Sequence, residues 1–243
     1  MGMKLLDYPD LVERHQKAHG FFDDFNFYTT VHNGWTTVAS DSGTIVGSDA
    51  AGGVLALNPS DGTVTDNDEI YLKRTQETFK FAQDKSIYFG VYAKFSEANT
   101  DDANVFFGLK DAIAANTIVD NGGMATSFSG VGFYKKDGET YWRIIASLGS
   151  TQTEVLLNST NSADKLAKTA GNGSYQKLEI LVAPISSSLA EIVFRIDNVD
   201  VYKISEFTFT SATEMQAGCG MKNGADTNVE TLYIDWITAW QTR

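Results

Sequence analysis

The carboxylates that could serve catalysis in this sequence lie in one short acidic run. Asp66, Asp68 and Glu69 occur within the segment DNDE, at the boundary between a polar loop and a predicted strand. A retaining glycoside hydrolase needs two carboxyl groups about 5–5.5 Å apart, on either side of the sugar. The run lacks this spacing, and an acidic, solvated loop explains it more simply. Because the sequence also contains no nucleophile elbow and no phosphate-binding loop, we predict no catalytic residues and no enzymatic activity.

Two polar loops carry oxygen ligands of the kind that calcium requires. They hold Asp61, Asp66, Asn67 and Asp68 in the first loop, and Asp101, Asp102 and Asn104 in the second. Neither loop matches an EF-hand, and acidic turns are ordinary in a chain with a net charge of -12. We therefore predict neither a metal nor any other cofactor, and leave calcium binding by one of the loops open.

The remaining metal-binding and nucleophilic side chains are histidines and a single cysteine. His15 and His19 are four residues apart on a predicted helix, but Gln16 stands where the zinc-protease motif HExxH has a glutamate. A surface helix with two histidines explains this spacing. Cys219 has no histidine close to it in the sequence, so we expect it to act as a small buried hydrophobic residue.

Aromatic side chains could bind sugars if they are exposed. The candidates are Trp35, Tyr141 and Trp142. Trp236 and Trp240 fall on the same side of the last predicted strand as Leu232 and Ile234, so alternation predicts that these two tryptophans pack in the core. Glycan binding is therefore left open, without a residue that indicates it.

Composition describes an acidic, well-packed chain. Its 243 residues are 42% hydrophobic and 12% aromatic, with a net charge of -12 and one cysteine. An acidic surface repels phosphate backbones, so we expect no binding to nucleic acid. The N-terminus has no long apolar run, so we expect neither a signal peptide nor a membrane anchor, and folding in a reducing cytoplasm.

Residues 1–20 differ from everything after them. Asp7, with Pro9 and Asp10 in the first turn, is a helix-start signal, and Gly20 is a stop signal. The residues on the apolar side at helical spacing are Tyr8, Leu11, Val12, His15 and Ala18. A helix this short needs a surface to dock on, so we predict an N-terminal helical arm over residues 1–20 that contacts a partner through these five residues. The alternative is that the arm packs on its own jelly roll and caps a sheet edge.

From residue 21 onward the pattern is that of β-strands separated by turns. The clearest hairpin is EIVFRIDNVDVYKI at 191–204, where Asp197 and Asn198 tolerate the positive φ of a tight turn. Folding about this turn places Arg195 opposite Asp200 and Phe194 opposite Val201. In the long strand SIYFGVYAKF at 86–95, the apolar residues alternate with Tyr88, Tyr92 and Lys94. We predict one all-β sandwich domain over residues 21–243.

Five segments occur in an order that resembles concanavalin A-like jelly-roll domains: FFDDF, YFGVYAKF, VGFYKKDGETYWRIIAS, FRIDNVDVYKI and TLYIDWITAWQ. The resemblance implies two antiparallel sheets packed face to face over residues 21–243. Jelly-roll glucanases place catalytic carboxylates close to the pattern E-x-D-x-x-E, which this sequence does not contain. More narrowly, the chain resembles virion structural proteins of tailed bacteriophages.

The resemblance implies a bacteriophage capsid decoration or cement protein that binds the outside of the shell. Its expected partner is the shell of major capsid protein, with self-association left open and no membrane or nucleic acid involved. Its expected location is the capsid surface of a virion, after synthesis in the host cytoplasm. The alternatives are a tail-associated or host-recognition protein that binds surface glycans, and a carbohydrate-binding module or glycoside hydrolase.

Overall fold

A computed structural model describes residues 17–29, 34–40, 42–48, 52–60, 62–97, 102–120, 122–171, 173–210, 213–224 and 230–243. The elements formed by these residues are all β-strands. Over the same ranges, no helix is long and apolar enough to cross a membrane.

The strands are short in the first third of the chain and longer after it. They are β1 Ala18–Asp23, β2 Trp35–Ala39, β3 Thr44–Ser48, β4 Val54–Asn58, β5 Glu69–Arg74, β6 Ile87–Ser96, β7 Ala103–Lys110, β8 Gly130–Lys135, β9 Arg143–Leu148, β10 Thr151–Leu156, β11 Gln176–Pro184, β12 Leu189–Ile196, β13 Val199–Thr208, β14 Gln216–Asn223 and β15 Thr231–Thr242.

These strands form two antiparallel sheets. The eight-stranded sheet has the order β13-β12-β11-β6-β15-β4-β3, and β1 also pairs with β15. The seven-stranded sheet has the order β10-β9-β8-β7-β14-β5-β2. Seven of the thirteen pairs of neighbouring strands described here join strands that are not consecutive in the chain, because the chain crosses between the sheets. The predicted all-β sandwich of two antiparallel sheets is confirmed.

The core lies between the two sheets and is built from alternate residues of both. Trp142 is 2% exposed, and its ring centroid lies 5.9 Å from those of Phe95 and Phe107. Its indole N–H donates to Oε1 of Gln176 at 2.9 Å. Burying this many aromatic side chains is the main source of stability, and the polar atom of the indole is satisfied at the edge.

The 191–204 hairpin has the predicted turn and one difference in register. Asp197 and Asn198 have φ of 51° and 69°, and Arg195 pairs with Asp200 as predicted. Phe194, however, lies opposite Tyr202 and not Val201, because the register shifts between Phe194 and Arg195. An extra residue of this kind is a β-bulge, which an alternation pattern does not reveal.

A second bulge, in β15, reverses a prediction about its tryptophans. The register with β6 shifts between Ile234 and Trp236. Leu232, Ile234, Ile237 and Ala239 are therefore buried in the core, whereas Trp236 is half-buried on the opposite face. The prediction that Trp236 and Trp240 pack with Leu232 is wrong, because the inserted residue changes the face of every side chain after it.

The predicted N-terminal helical arm is not supported. Ala18, His19 and Gly20, assigned to its end, belong to β1 and pair with Thr242, Gln241 and Trp240. A Cβ atom on Gly20 would lie 2.1 Å from the carbonyl oxygen of Ala239. The glycine that was interpreted as a helix stop therefore permits close approach to β15, and strand pairing here overrides the helical spacing. Tyr8, Leu11, Val12 and His15 lie outside the described residues.

Phe194 tests the orientation of the central hairpin. Its side chain is fully buried, and its ring packs edge-on against Phe133 at 5.4 Å between centroids. We expect Phe194→Ala to lower the free energy of unfolding by about 3–5 kcal/mol in urea denaturation, because it leaves a cavity between the sheets. Val199→Ala, at a position 46% exposed on the same hairpin, should change it by less than about 0.5 kcal/mol.

Candidate functional site

The outer face of the central strands of the seven-stranded sheet is covered by the chain's own connection between β7 and β8. We call its described residues, 111–120 and 122–129, segment 111–129. A second hydrophobic cluster lies between this segment and the sheet, formed by Tyr71, Phe106, Ile113, Ile118, Met124, Phe128, Tyr134 and Ile145. Every residue of β7, β8 and β14 is buried as a result. Segment 111–129 therefore occupies the surface that a curved sheet would otherwise offer to a ligand.

Polar contacts hold the segment in place and account for Glu69. The Glu69 carboxylate accepts from the backbone N–H of Asn116 at 2.9 Å and from the Tyr71 hydroxyl at 3.1 Å. Lys222 Nζ lies 3.3 Å from Glu69 and 2.7 Å from Asp120. Burial, reinforced by the charge of Glu69, raises the pKa of Tyr71 well above its usual range. The Glu69 carboxylate is buried, at 2% exposed, and has several polar partners. The interpretation of this residue as part of an acidic, solvated loop is therefore wrong, because segment 111–129 covers it.

The outer face of the eight-stranded sheet carries a row of aromatic side chains, which we call the aromatic row. It runs across three strands and the residue before β11 as Phe22, Trp236, Tyr92 and Tyr175. The successive ring centroids lie 6.1, 6.2 and 5.0 Å apart, with interplanar angles of 25–31°. Phe22 is 60% exposed and the other three are half-buried. The row therefore presents aromatic surface to solvent on a rigid support.

Charged and hydroxyl groups surround the aromatic row. The Lys94 ammonium lies 5.0 Å from the Tyr175 ring centroid and 5.2 Å from that of Tyr233, within the range of a cation–π contact. The pKa of Asp235 is raised, mainly because the side chain is partly buried and to a lesser extent because the charge of Asp24 is nearby. Burial and the charge of Asp235 raise the pKa of Tyr175, which places Asp235 beside the row. Donors and acceptors thus border the apolar rings.

The structure separates the aromatic residues that the sequence grouped as candidates. Trp35 and Trp142 are each only 2% exposed, so they are core residues. Tyr141 is half-buried and bridges to Thr169. Sequence reasoning missed the aromatic row, although the alternation of Tyr88, Tyr92 and Lys94 in β6 was a signal for the part that lies on that strand.

The other candidates have structural roles. His19 stacks on Phe79 at 5.8 Å between ring centroids, and its Nε2 lies 2.8 Å from the Thr78 carbonyl oxygen. Cys219 is fully buried, as expected, and burial raises the pKa of its thiol. Ala18 is half-buried in β1, where it pairs with Thr242.

The calcium candidates Asp66 to Asp68 and Asp102 lie at one end of the sandwich. Asp68 Oδ2 accepts from the Ser60 hydroxyl and from the Thr65 N–H, each at 2.9 Å. Among the described residues, no three carboxylates, imidazoles or thiols are placed to hold one metal ion. Asp61 and Asp101 lie outside those residues.

Several carboxylates that are distant in sequence meet at this end, which we call the acidic end: Glu97, Asp102, Asp137 and Glu230, together with Lys135. Lys135 Nζ lies 2.9 Å from Glu97 Oε2. The pKa of Glu230 is raised to about 8, mainly by burial and to a lesser extent by the negative charges of Glu97, Asp102 and Asp137. Sequence reasoning missed Glu97, Asp137 and Glu230, because only the fold brings them together.

Glu230 should make stability fall as pH rises. Its folded pKa of about 8 exceeds the ordinary 4.5, so between these values the folded state holds a proton that the unfolded state has released. The free energy of unfolding should decrease over this range, by at most about 1.4 kcal/mol per pH unit for one proton. We expect Glu230→Gln to remove this decrease in urea titrations without divalent cations, and Glu77→Gln, at an exposed site, to retain it. An identical slope in both variants would contradict this assignment.

Comparisons with known proteins find similarity in structure and not in sequence. No family model matches the chain, and no curated protein matches it either. The carbohydrate recognition domain of Emp47p superposes with a TM-score of 0.58 at 16% identity, covering 92% of this chain and 96% of that one. An endo-1,3-β-glucanase from Streptomyces sioyaensis gives 0.58 at 10% identity, covering 93% and 96%. Peanut lectin gives 0.55 at 9% identity, covering 93% and 98%.

At these identities the similarity concerns the fold alone. The three proteins are matched over nearly their whole length, and the two sheets of this chain have the same sandwich arrangement. The predicted concanavalin A-like jelly roll is therefore confirmed as the fold of this protein.

Proposed function

We propose that this protein binds carbohydrate through the aromatic row of Phe22, Trp236, Tyr92 and Tyr175. The observation that carries the proposal is a continuous line of partly exposed rings on the outer face of a rigid sheet, bordered by Lys94, Asp24 and Asp235. This proposal corresponds to the carbohydrate-binding alternative from the sequence analysis, and it differs from the capsid decoration protein that was the leading hypothesis there.

The chemistry of the row suits a sugar. The C–H faces of a pyranose are apolar and pack on aromatic rings, while its hydroxyl groups need donors and acceptors at the rim of the contact. The Lys94 ammonium can donate to a sugar oxygen, and the carboxylates of Asp24 and Asp235 can accept from sugar hydroxyls. Because the rings already pack on one another, binding orders few side chains, which limits the entropic cost.

The charge of the surface favours a neutral glycan. The whole chain carries a net charge of -12, and two carboxylates border the row, whereas Lys94 is held between two tyrosine rings. A polyanionic glycan would be repelled by this field. We therefore expect neutral polysaccharides to bind and alginate not to bind at low salt.

Two of the structurally similar proteins are named as a carbohydrate recognition domain and a glucanase, so the fold is one that is used with glycans. A fold hosts many functions, and the rings of the row also stabilise the sheet through cross-strand contacts. A decisive experiment must therefore separate binding from folding.

Trp236→Ala and Tyr92→Ala are the central tests. We expect the wild type to be retarded in native gels that contain laminarin, xyloglucan or hydroxyethyl cellulose. Each substitution should weaken binding to the retarding polysaccharide roughly 5–30-fold, the effect of losing about 1–2 kcal/mol at an aromatic contact. Ile185→Ala, which shortens an exposed apolar side chain away from the row, should leave retardation unchanged. Circular dichroism confirms that each variant is folded.

Retardation by none of these polysaccharides would contradict the proposal. Equal retardation of the wild type and of folded Trp236→Ala would also contradict it and would place any binding elsewhere on the molecule.

We expect no hydrolysis of laminarin or alginate. Glu69, the carboxylate nearest to a catalytic pattern in the sequence, is buried against Lys222 and anchors segment 111–129. Mass spectrometry of overnight incubations should therefore show no oligosaccharide products. Products that disappear in Glu69→Gln, while the circular dichroism spectrum is unchanged, would establish an enzyme instead.

Capsid binding, self-association and location on a virion stay predictions from the sequence. The structural similarities described above concern the fold and do not test them. Co-sedimentation of the purified chain with undecorated phage capsids is the direct measurement, and it is independent of the glycan experiment.

A further inference from the structure

Four buried side-chain oxygens near one end of the sandwich have no hydrogen-bond partner among the described residues. They are Asn67 Oδ1, Asp102 Oδ2, Asn223 Oδ1 and Glu230 Oε2. Asn223 is fully buried and Glu230 is 1% exposed. Leaving such acceptors unpaired destabilises the folded state, and more so where they are charged. Because the four oxygens lie near one another, a single bound group that the described residues do not supply could pair with all of them.

Backbone contacts bring these oxygens to one place. Asn223 pairs with Ala103, next to Asp102, and its carbonyl accepts from the N–H of Asn67 at 3.1 Å. A Cβ atom on Gly224 would lie 2.3 Å from the Asp102 carbonyl oxygen. The end of β14 therefore lies against both polar loops.

Glu230 reaches the same place from the other sheet. Thr231 pairs with Ser96, which sets Glu230 beside Glu97 at the ends of their strands. The charges of Glu97, Asp102 and Asp137 all act on Glu230. Asn67, Asp102, the C-terminal end of β6 and the N-terminal end of β15 therefore converge on the acidic end.

Charge is unbalanced at the acidic end. Glu97, Asp102 and Asp137 contribute three carboxylates and Glu230 a fourth carboxyl group, and Lys135 is the cation that acts on Glu230 there. Lys135 is already engaged by Glu97 and by the Ala103 carbonyl oxygen at 2.8 Å. A buried water could satisfy an unpaired acceptor but would not neutralise the excess charge. A bound cation would do both.

We propose that the acidic end binds a divalent cation of the calcium class, with the carboxylates of Asp102 and Glu230 and the amide oxygens of Asn67 and Asn223 as its protein ligands.

The donor set indicates calcium over other metals. All four ligands are hard oxygens, and the described residues place no imidazole or thiolate with them, as zinc or copper would prefer. Calcium accepts six to eight oxygen ligands in flexible geometry, including amide carbonyls and waters. This agrees with the absence, among the described residues, of three carboxylates placed around a single point. Magnesium demands a near-ideal octahedron and should bind more weakly.

The test is cation-dependent stability of the full chain after treatment with EDTA. We expect CaCl₂ to raise the melting temperature of the wild type above its value in NaCl at equal ionic strength, and MgCl₂ to raise it less. Tb³⁺ added to the EDTA-treated protein should give sensitised luminescence on tyrosine and tryptophan excitation, and Ca²⁺ should displace it.

Two variants and a control assign the site. Glu230→Gln and Asp102→Asn keep side-chain shape but remove one carboxylate ligand each, so both should fold, lose the calcium-dependent rise and lose Tb³⁺ luminescence. In EDTA above pH 8, where Glu230 is ionised, Glu230→Gln should also melt higher than the wild type, because it removes a charge that is repelled by the neighbouring carboxylates. Glu77→Gln, an exposed site near the opposite end of β5, should retain the whole response.

Three results would overturn the proposal. The first is that calcium does not raise the melting temperature of the wild type. The second is that NaCl at equal ionic strength raises it as much. The third is that calcium still raises the melting temperature of folded Glu230→Gln and Asp102→Asn. The first two would leave water as the group that satisfies the unpaired oxygens. Glycan retardation of the wild type is measured separately, so failure of the cation site and failure of the proposed function can be told apart.

Discussion

Burial of three central strands of the seven-stranded sheet, β8, β7 and β14, on both faces is the constraint on which the rest of the structure depends. The inner face of β7, β8 and β14 packs on the sandwich core, and the outer face packs under segment 111–129. Glycines make this possible, because a Cβ atom on Gly220 would lie 2.2 Å from the Tyr71 ring. With that sheet closed, the outer face of the other sheet is the broad surface left for a ligand.

One inserted residue decides what that surface presents. Without the bulge in β15, alternation from Leu232 and Ile234 would carry Trp236 into the core and leave Ile237 outside. With it, Trp236 stands beside Tyr92 and Phe22. The bulge leaves one residue of β15 unpaired in the ladder. As a result, Trp236 and Trp240 lie on the outer face of the sheet and not in the core.

Sequence reasoning succeeded where the cause is local. Alternation located the long strands, and Asp197-Asn198 fixed a turn because both residues tolerate positive φ. It failed where partners are distant. The spacing of apolar residues up to Ala18 predicted a helix, but Ala18 pairs with Thr242 in β15 instead. Spacing within one segment contains no information about a pairing partner more than 200 residues away. The bulge in β15 and the meeting of Asp102 with Glu230 depend on register between strands far apart in the chain, and residue periodicity carries no information on that register.

The aromatic row and the acidic end are linked by the strand pair that carries both. Tyr233 pairs with Lys94 on β15 and β6, and Thr231 pairs with Ser96 at the end of the same ladder. Glu230 and Glu97 follow immediately and turn inward, whereas Lys94 and Tyr233 face outward. Repulsion between the two carboxylates acts at the point where the ladder frays most easily. Neutralising that repulsion, by a proton on Glu230 or by a cation, would hold together the strand ends that position Lys94 and Tyr233. The charge state of Glu230 and Glu97, between the sheets, thereby affects how firmly Lys94 and Tyr233 are held beside the aromatic row on the outer face.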